Sequence, residues 1–244
     1  MKISRSNSLT LPFMLTDEYA KKIFNSFEKF ANSADAVEIE VNCTDNLTRQ
    51  FQEIVELVEF ENAPKCTIKA IRFKTFIREK DIKKHAYLEF DDDKFSNVSI
   101  NIEGQEEDVV ELNHSIEDYL EGMKPWYSKI TKVDFFYLFI GLFFLILLFI
   151  MAVVWFGLIP FPETQPTKET SSKADILVGL FFISPIFFGL ILNWFKDRVF
   201  PISYFAIGQG KKRYENMDYL RKLIVGVIVT GIVAMLVSVF KFIF

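Results

Sequence analysis

Residues 135–159 read FFYLFIGLFFLILLFIMAVVWFGLI, with no charged side chain among them. A helix rises about 1.5 Å per residue, so this stretch reaches across the ~30 Å hydrocarbon core of a bilayer. Two further apolar runs follow, at 176–195 and 223–240, and all three lie after residue 130. The expected fold is therefore an α+β cytosolic domain over residues 1–124, followed by an all-α transmembrane bundle of three helices per chain over 125–244. The spans fall at 133–159, 175–195 and 222–240, with a cytosolic loop at 196–221.

Charge sets the expected topology. Residues 1–132 hold 18 Lys/Arg against 25 Asp/Glu, whereas residues 196–222 hold seven basic side chains against three acids. Lys124, Lys129 and Lys132 precede the first run, and only Lys168 and Lys173 follow it before the second. Basic residues gather on the cytosolic side of spans. The N-terminal domain and the 196–221 loop are thus placed in the cytosol, and the Pro- and Thr-rich segment 160–174 and the C-terminus outside. The first fourteen residues mix Lys, Arg, Ser and Asn, unlike a signal peptide. Dense Phe and Lys with modest Ala point to a bacterial chain, and so to a multi-pass protein of the inner membrane.

Periodicity supplies the elements of the front half. Ala20, Ile23, Phe24, Phe27, Phe30 and Ala31 recur at helical spacing behind Thr16, a capping residue. Val37, Ile39 and Val41 alternate with Glu38, Glu40 and Asn42, the period of a strand. A short helix is expected around 51–58, strands at 66–78, 86–90 and 98–103, and a helix over 106–123. Adjacent strands in a row favour an α+β layer over a wound parallel sheet.

Catalytic signals are poor. His85 and His114 stand alone, and no His-Glu-x-x-His, Cys-x-x-Cys, Gly-x-Ser-x-Gly or phosphate-loop pattern is present. The chain is expected not to be an enzyme and to need no metal or cofactor. Cys43 and Cys66 read as free thiols of a reducing compartment. The acidic run at 91–93 reads as solvated surface.

Binding signals are better. One parity of the 67–78 strand carries Arg72, Lys74, Phe76 and Arg78, three cations around one ring, with Lys80, Lys83 and Lys84 close behind. Cations neutralise phosphate and a ring stacks a base, so these four residues are the candidate site for a nucleotide or oligonucleotide. The plain alternative is a solvated sheet face whose cations are balanced by nearby acids. Gly208, Gly210 and Arg213 mark a candidate gating loop, with a tight turn beside lipid headgroups as its alternative. Thr230, Ala234 and Ser238 recur every fourth residue, a stripe suited to close packing or to lining a pore. Three spans are too few for a path within one chain, so conduction would require a homo-oligomer.

The segment FPISYFAIGQGKKRYENMDYLRK, residues 200–222, resembles one found in bacterial membrane proteins, some carried near anti-phage defence genes. Phe200, Pro201, Phe205, Ile207, Gly208, Gly210, Arg213 and Arg221 are the matching positions. The layout, a small cytosolic domain ahead of a few spans, is similar to that of membrane effectors of such systems. Among them is the Hailong type, whose effector is a tetrameric channel controlled by an oligodeoxyadenylate strand. The resemblance implies a sensor gating a pore in abortive infection, a tetramer, and a partner enzyme that synthesises the ligand. Two functions fit these features. One is an oligomeric channel in the lipid bilayer gated by a nucleotide-type ligand. The other is a non-conducting membrane-anchored adaptor that recruits a partner protein.

Overall fold

The computed structural model describes residues 2–79, 82–156 and 168–243. The chain divides into two compact units, Met1–Ser128 with Pro201–Phe244, and Lys129–Phe200.

The first unit opens with β1 (Lys2–Leu9), β2 (Phe13–Thr16) and α1 (Asp17–Ala31). Thr16 caps α1 by accepting from the Tyr19 amide, and Asn32 ends it in a left-handed conformation. A single turn of 3₁₀ helix leads into β3 (Val37–Cys43), β4 (Thr48–Phe51), α2 (Ile54–Glu59), β5 (Ile68–Glu79), β6 (Ile82–Asp91), β7 (Val98–Gln105) and α3 (Glu106–Gly122). The strands form one six-stranded sheet in the order β1-β7-β6-β5-β3-β4, and every pairing is antiparallel.

Alternation decides which face is covered. Val37, Ile39, Val41, Ile71, Phe73, Leu88, Phe90 and Ile102 are all buried on the side where α1 and α3 pack. Phe27 of α1 meets Phe73 of β5 with ring centroids 6.1 Å apart. The acids Glu106, Glu107 and Asp108 fill the first turn of α3, where the helix dipole favours them. The other face of the sheet carries the alternate residues.

After the second unit the chain returns through β8 (Ser203–Ala206) and α7 (Gln209–Ile243). Strand β8 pairs in parallel with β2, and Phe13 packs edge-on against both Phe205 and Phe90. Asn62, buried and at φ 46°, fastens this segment. Its Nδ2 donates to the Phe205 and Ile207 carbonyls at 3.3 and 3.1 Å, and its Oδ1 accepts from the Ile68 amide at 3.1 Å. The Gln209 amide donates to the Glu61 carbonyl at 2.8 Å. Gly208 sits at φ +53°, and a Cβ there would run into the Phe60 carbonyl and come within 2.9 Å of the Glu61 carbonyl.

The second unit holds α4 (Ser128–Thr131, which begins at its edge), α5 (Phe135–Trp155) and α6 (Lys168–Val199). Asp134 caps α5 by accepting from the Phe136 amide at 2.9 Å. Asn193 of α6 donates to Asp134 at 2.8 Å and accepts from the Phe135 amide at 2.9 Å. Lys196 donates to the Thr131 and Val133 carbonyls. The start of α5 therefore meets the end of α6, which makes the pair an antiparallel hairpin.

The expected all-α bundle of three transmembrane helices is not found among the described residues. Among the described residues one helix, Phe135–Trp155, is long and apolar enough to cross a membrane by length and composition. Helices α6 and α7, with 32 and 35 residues, are longer than their apolar runs and carry charged ends. Nor do the three helices share one body: α5 pairs with α6, while α7 belongs with the α+β unit. The multi-pass placement in a bacterial inner membrane, which rested on three spans, falls with the bundle. The proposed 196–221 loop is instead the end of α6, strand β8 and the first turns of α7. Residues 157–167, which include the end of the first expected span and much of the 160–174 segment, lie outside the described residues, as does Lys80.

Gly208→Ala should lower stability by about 1–3 kcal/mol or more, because it combines backbone strain with a steric clash. Gly226→Ala, where an added Cβ meets open space, should change it by no more than about 1 kcal/mol. Urea unfolding of the detergent-solubilised chain, followed by tryptophan fluorescence, compares the two.

Candidate functional site

The uncovered face of β3, β5 and β6 collects the four predicted ligand residues. Register places Arg72 opposite Glu89 and Glu40, Lys74 opposite Tyr87 and Glu38, and Phe76 opposite His85. Two of the three cations, Arg72 and Lys74, are spoken for. The Arg72 Nε donates to Glu89 at 2.5 Å, and its Nη1 lies 3.8 Å from Glu40. Lys74 pairs with the same Glu40 carboxylate. The Tyr87 hydroxyl donates to the second Glu89 oxygen at 2.6 Å. Two carboxylates thus neutralise two cations across three strands, and the pairs are partly shielded from water, where such contacts weaken less than at an open surface.

Titration follows the pairing. Hydrogen bonding from Lys74 outweighs partial burial and holds the Glu40 carboxyl below its ordinary value of 4.5. Burial and the bond to Glu89 push the Tyr87 hydroxyl up to about 12.

Phe76 remains exposed, with 58% of its surface accessible, and His85 approaches it edge-on at 6.3 Å. It stands between two open hollows. One, of about 810 Å³, is bordered by Asp35, Glu38, Glu56, Lys74 and His85. The other, of about 680 Å³, is bordered by Arg78, Lys84 and Asp108. Lys84 is turned inward, pairs with Asp108 at 2.7 Å and donates to the Phe30 carbonyl. Lys83 pairs with Glu103 at 3.0 Å. The first hollow has more acid than base on its rim, and the second offers Arg78 as its exposed cation.

The remaining sequence-predicted positions sit elsewhere. Gly208 and Gly210 lie in the clamp around Asn62, so their small size serves close backbone approach. Burial pushes the Tyr204 hydroxyl pKa above its ordinary value, and the neighbouring Arg213 offsets only part of that rise. Thr230, Ala234 and Ser238 share one side of α7 and are exposed. The Thr230 hydroxyl donates to the Gly226 carbonyl at 2.8 Å, and that of Ser238 to the Ala234 carbonyl at 2.9 Å. The hydroxyls of the stripe are thus engaged within their own helix.

Periodicity did not single out the cage around Arg221. This side chain is 1% exposed. Its guanidinium lies over the rings of Tyr127, Tyr214 and Tyr204 at 4.9, 5.2 and 6.0 Å. Asp218, one turn away, accepts from the Trp126 indole at 2.7 Å and pairs with Lys222 at 2.7 Å. Burial pushes the Asp218 carboxyl up, but the bonds from Lys222 and Trp126 outweigh it and leave it below its ordinary range. Tyr214 and Arg221, two helical turns apart, were the available signal.

Comparison of the chain with protein families, with characterised proteins and with solved structures finds no match.

Because the Glu40 pKa is lowered on folding, its contribution to stability is present above pH 4.5 and is lost as pH falls through the lower, folded value. Glu40→Gln should therefore cost stability at pH 7 and flatten the decline expected below pH 4.5 in the unmodified chain. Urea midpoints measured across that pH range check both statements.

Proposed function

We propose that this protein is a membrane-anchored adaptor: α5 holds it in a bilayer, and the uncovered face of β3, β5 and β6 docks a partner protein around Phe76. The observation that carries this reading is the commitment of Arg72 and Lys74 to Glu89 and Glu40 beside an exposed aromatic ring. A phosphate chain is held by cations free to replace its counterions. An exposed aromatic residue ringed by paired charges and flanked by an arginine suits a protein interface, where aromatics and Arg supply most of the energy.

The apolar helix argues in the same direction. Copies of α5 gathered around an axis would present Phe, Leu, Ile and Val side chains, with Tyr137, Gly141, Met151, Ala152 and Trp155 as the departures and no charged group among them. Such a lining sheds water rather than conducting ions. The helix is well suited to lie against lipid, where its backbone is satisfied internally.

The combined substitution Leu142→Arg, Leu145→Arg and Phe149→Arg adds about 2.5–3.5 kcal/mol of insertion cost per site. It should leave the protein at the bottom of a flotation gradient in which the unmodified chain rises with lipid vesicles. Phe76→Ala should float normally yet lose a partner that the unmodified chain retains on cross-linking in its native membrane. Ion currents from the purified chain in planar bilayers would overturn the adaptor in favour of a pore, and failure of the unmodified chain to float would overturn membrane anchoring.

A further inference from the structure

At the far end of β3 from the Phe76 hollows, two turns bring three metal-ligating side chains together. Cys43 closes β3, Asp45 lies in the turn to β4, and Cys66 lies in the turn before β5. One donor atom from each falls within 4.8 Å of the others. We propose that Cys43, Asp45 and Cys66 form a binding site for a thiophilic divalent metal ion, with zinc the ion that this donor set suits.

The backbone is arranged to hold the set. The register of β3 against β5 shifts between Asn42 and Cys43, the kind of irregularity that re-aims a side chain at the end of a strand. The turn after it is closed by the Asn46 amide on the Cys43 carbonyl at 3.0 Å and the Cys43 amide on the Leu47 carbonyl at 3.2 Å, with Asn46 at φ 61°. The second turn is closed by the Cys66 amide on the Ala63 carbonyl at 2.9 Å. The two turns are stapled to each other by the residues next to the donors. The Thr44 amide donates to the Thr67 carbonyl at 2.9 Å, and the Thr67 amide donates to the Thr44 hydroxyl at 3.0 Å. The three donors thus start close to one another, and small side-chain rotations bring them to zinc bond lengths of about 2.3 Å to sulfur and about 2.0–2.2 Å to oxygen.

Charge and outer-shell contacts agree with a cation. Two thiolates and a carboxylate carry three negative charges, which a divalent ion and the Arg49 guanidinium together cancel. Arg49 reaches Asp45 through both Nη atoms, at 3.2 and 2.6 Å, and the Leu47 amide donates to the same carboxylate at 3.0 Å. A ligating carboxylate held in this way by hydrogen bonds is the usual outer-shell arrangement of a metal site. Cys43 is buried and Cys66 partly exposed, so the ion enters from the Cys66 side. With three protein donors among the described residues, water takes the fourth tetrahedral position. Soft sulfur ligands select zinc over magnesium or calcium.

The full chain, reduced and stripped with a chelator, is titrated anaerobically with cobalt(II) as a spectroscopic stand-in and then with zinc. One equivalent of cobalt per chain, a thiolate-to-cobalt charge-transfer band and displacement of cobalt by zinc are expected. Cys66→Ser, at the partly exposed position, should remove the band while retaining the circular dichroism of the unmodified chain, and Asp45→Asn should keep the band but weaken binding. Two reduced thiols per chain with no charge-transfer band would overturn the proposal. So would a Cys43–Cys66 disulfide that persists in a glutathione buffer at cytosolic poise, or a band that survives in Cys66→Ser.

Discussion

The structure of the larger unit depends on one buried amide. Asn62 holds two carbonyls of the 205–207 segment with its nitrogen and an amide of β5 with its oxygen. The segment it holds is separated from it by more than 140 residues of chain. A hydrogen bond contributes only about 0.5–1.5 kcal/mol net, but an unmade one in a buried place costs about 1–3 kcal/mol. The clamp is thus strongest as a demand for register. Residues 205–207 have to arrive in one place, with glycine at 208, or buried polar groups are left without partners. That demand brings α7 home to the sheet domain after the excursion through α5 and α6.

Much of the sheet domain was legible because burial on one face imposes a period. The Val37–Ile39–Val41 alternation, the six apolar positions of α1 and the strand following Cys66 all appear where the pattern placed them. Strand β1 was not legible. Its sequence KISRSNSL is polar, because an edge strand packs one side against the core and leaves the rest to water. Strands β2 and β8 have four residues each, too short for a period to register, and they pair across the whole excursion through the second unit. The apolar runs misled for a different reason. Composition gives the hydrophobicity of a window but not which body a helix joins, and α7 is assigned to the sheet domain by residues that precede its apolar run.

The candidate ligand face shows the same division. Strand parity put Arg72, Lys74, Phe76 and Arg78 on one face, and the structure brings them there. The acids that decide their chemistry come from other strands. Glu40 on β3 and Glu89 on β6 reach the cations only through register, which one strand's sequence does not carry. A count of positive charges along β5 therefore overstates the field a ligand would meet. Cys43 and Cys66 were similarly separated in sequence and joined by the turns at one end of the sheet.

Arg221 determines how any change in the sheet domain could reach α7. Burying a guanidinium costs several kcal/mol unless it is well compensated. Three tyrosine faces do much of this, at about 2 kcal/mol or more apiece for a desolvated cation–π contact at best. One of those rings, Tyr127, lies just past α3, and the neighbouring Trp126 is bonded to Asp218 of α7. The end of α3 is itself tied down, since the Met14 amide donates to the Met123 carbonyl at 2.8 Å beside β2. A displacement of α3 would thus have to carry β2 and α7 with it or break the cage. The contacts at this junction thus couple the end of α3, strand β2 and the first turns of α7 to one another, through one buried cation and two hydrogen bonds.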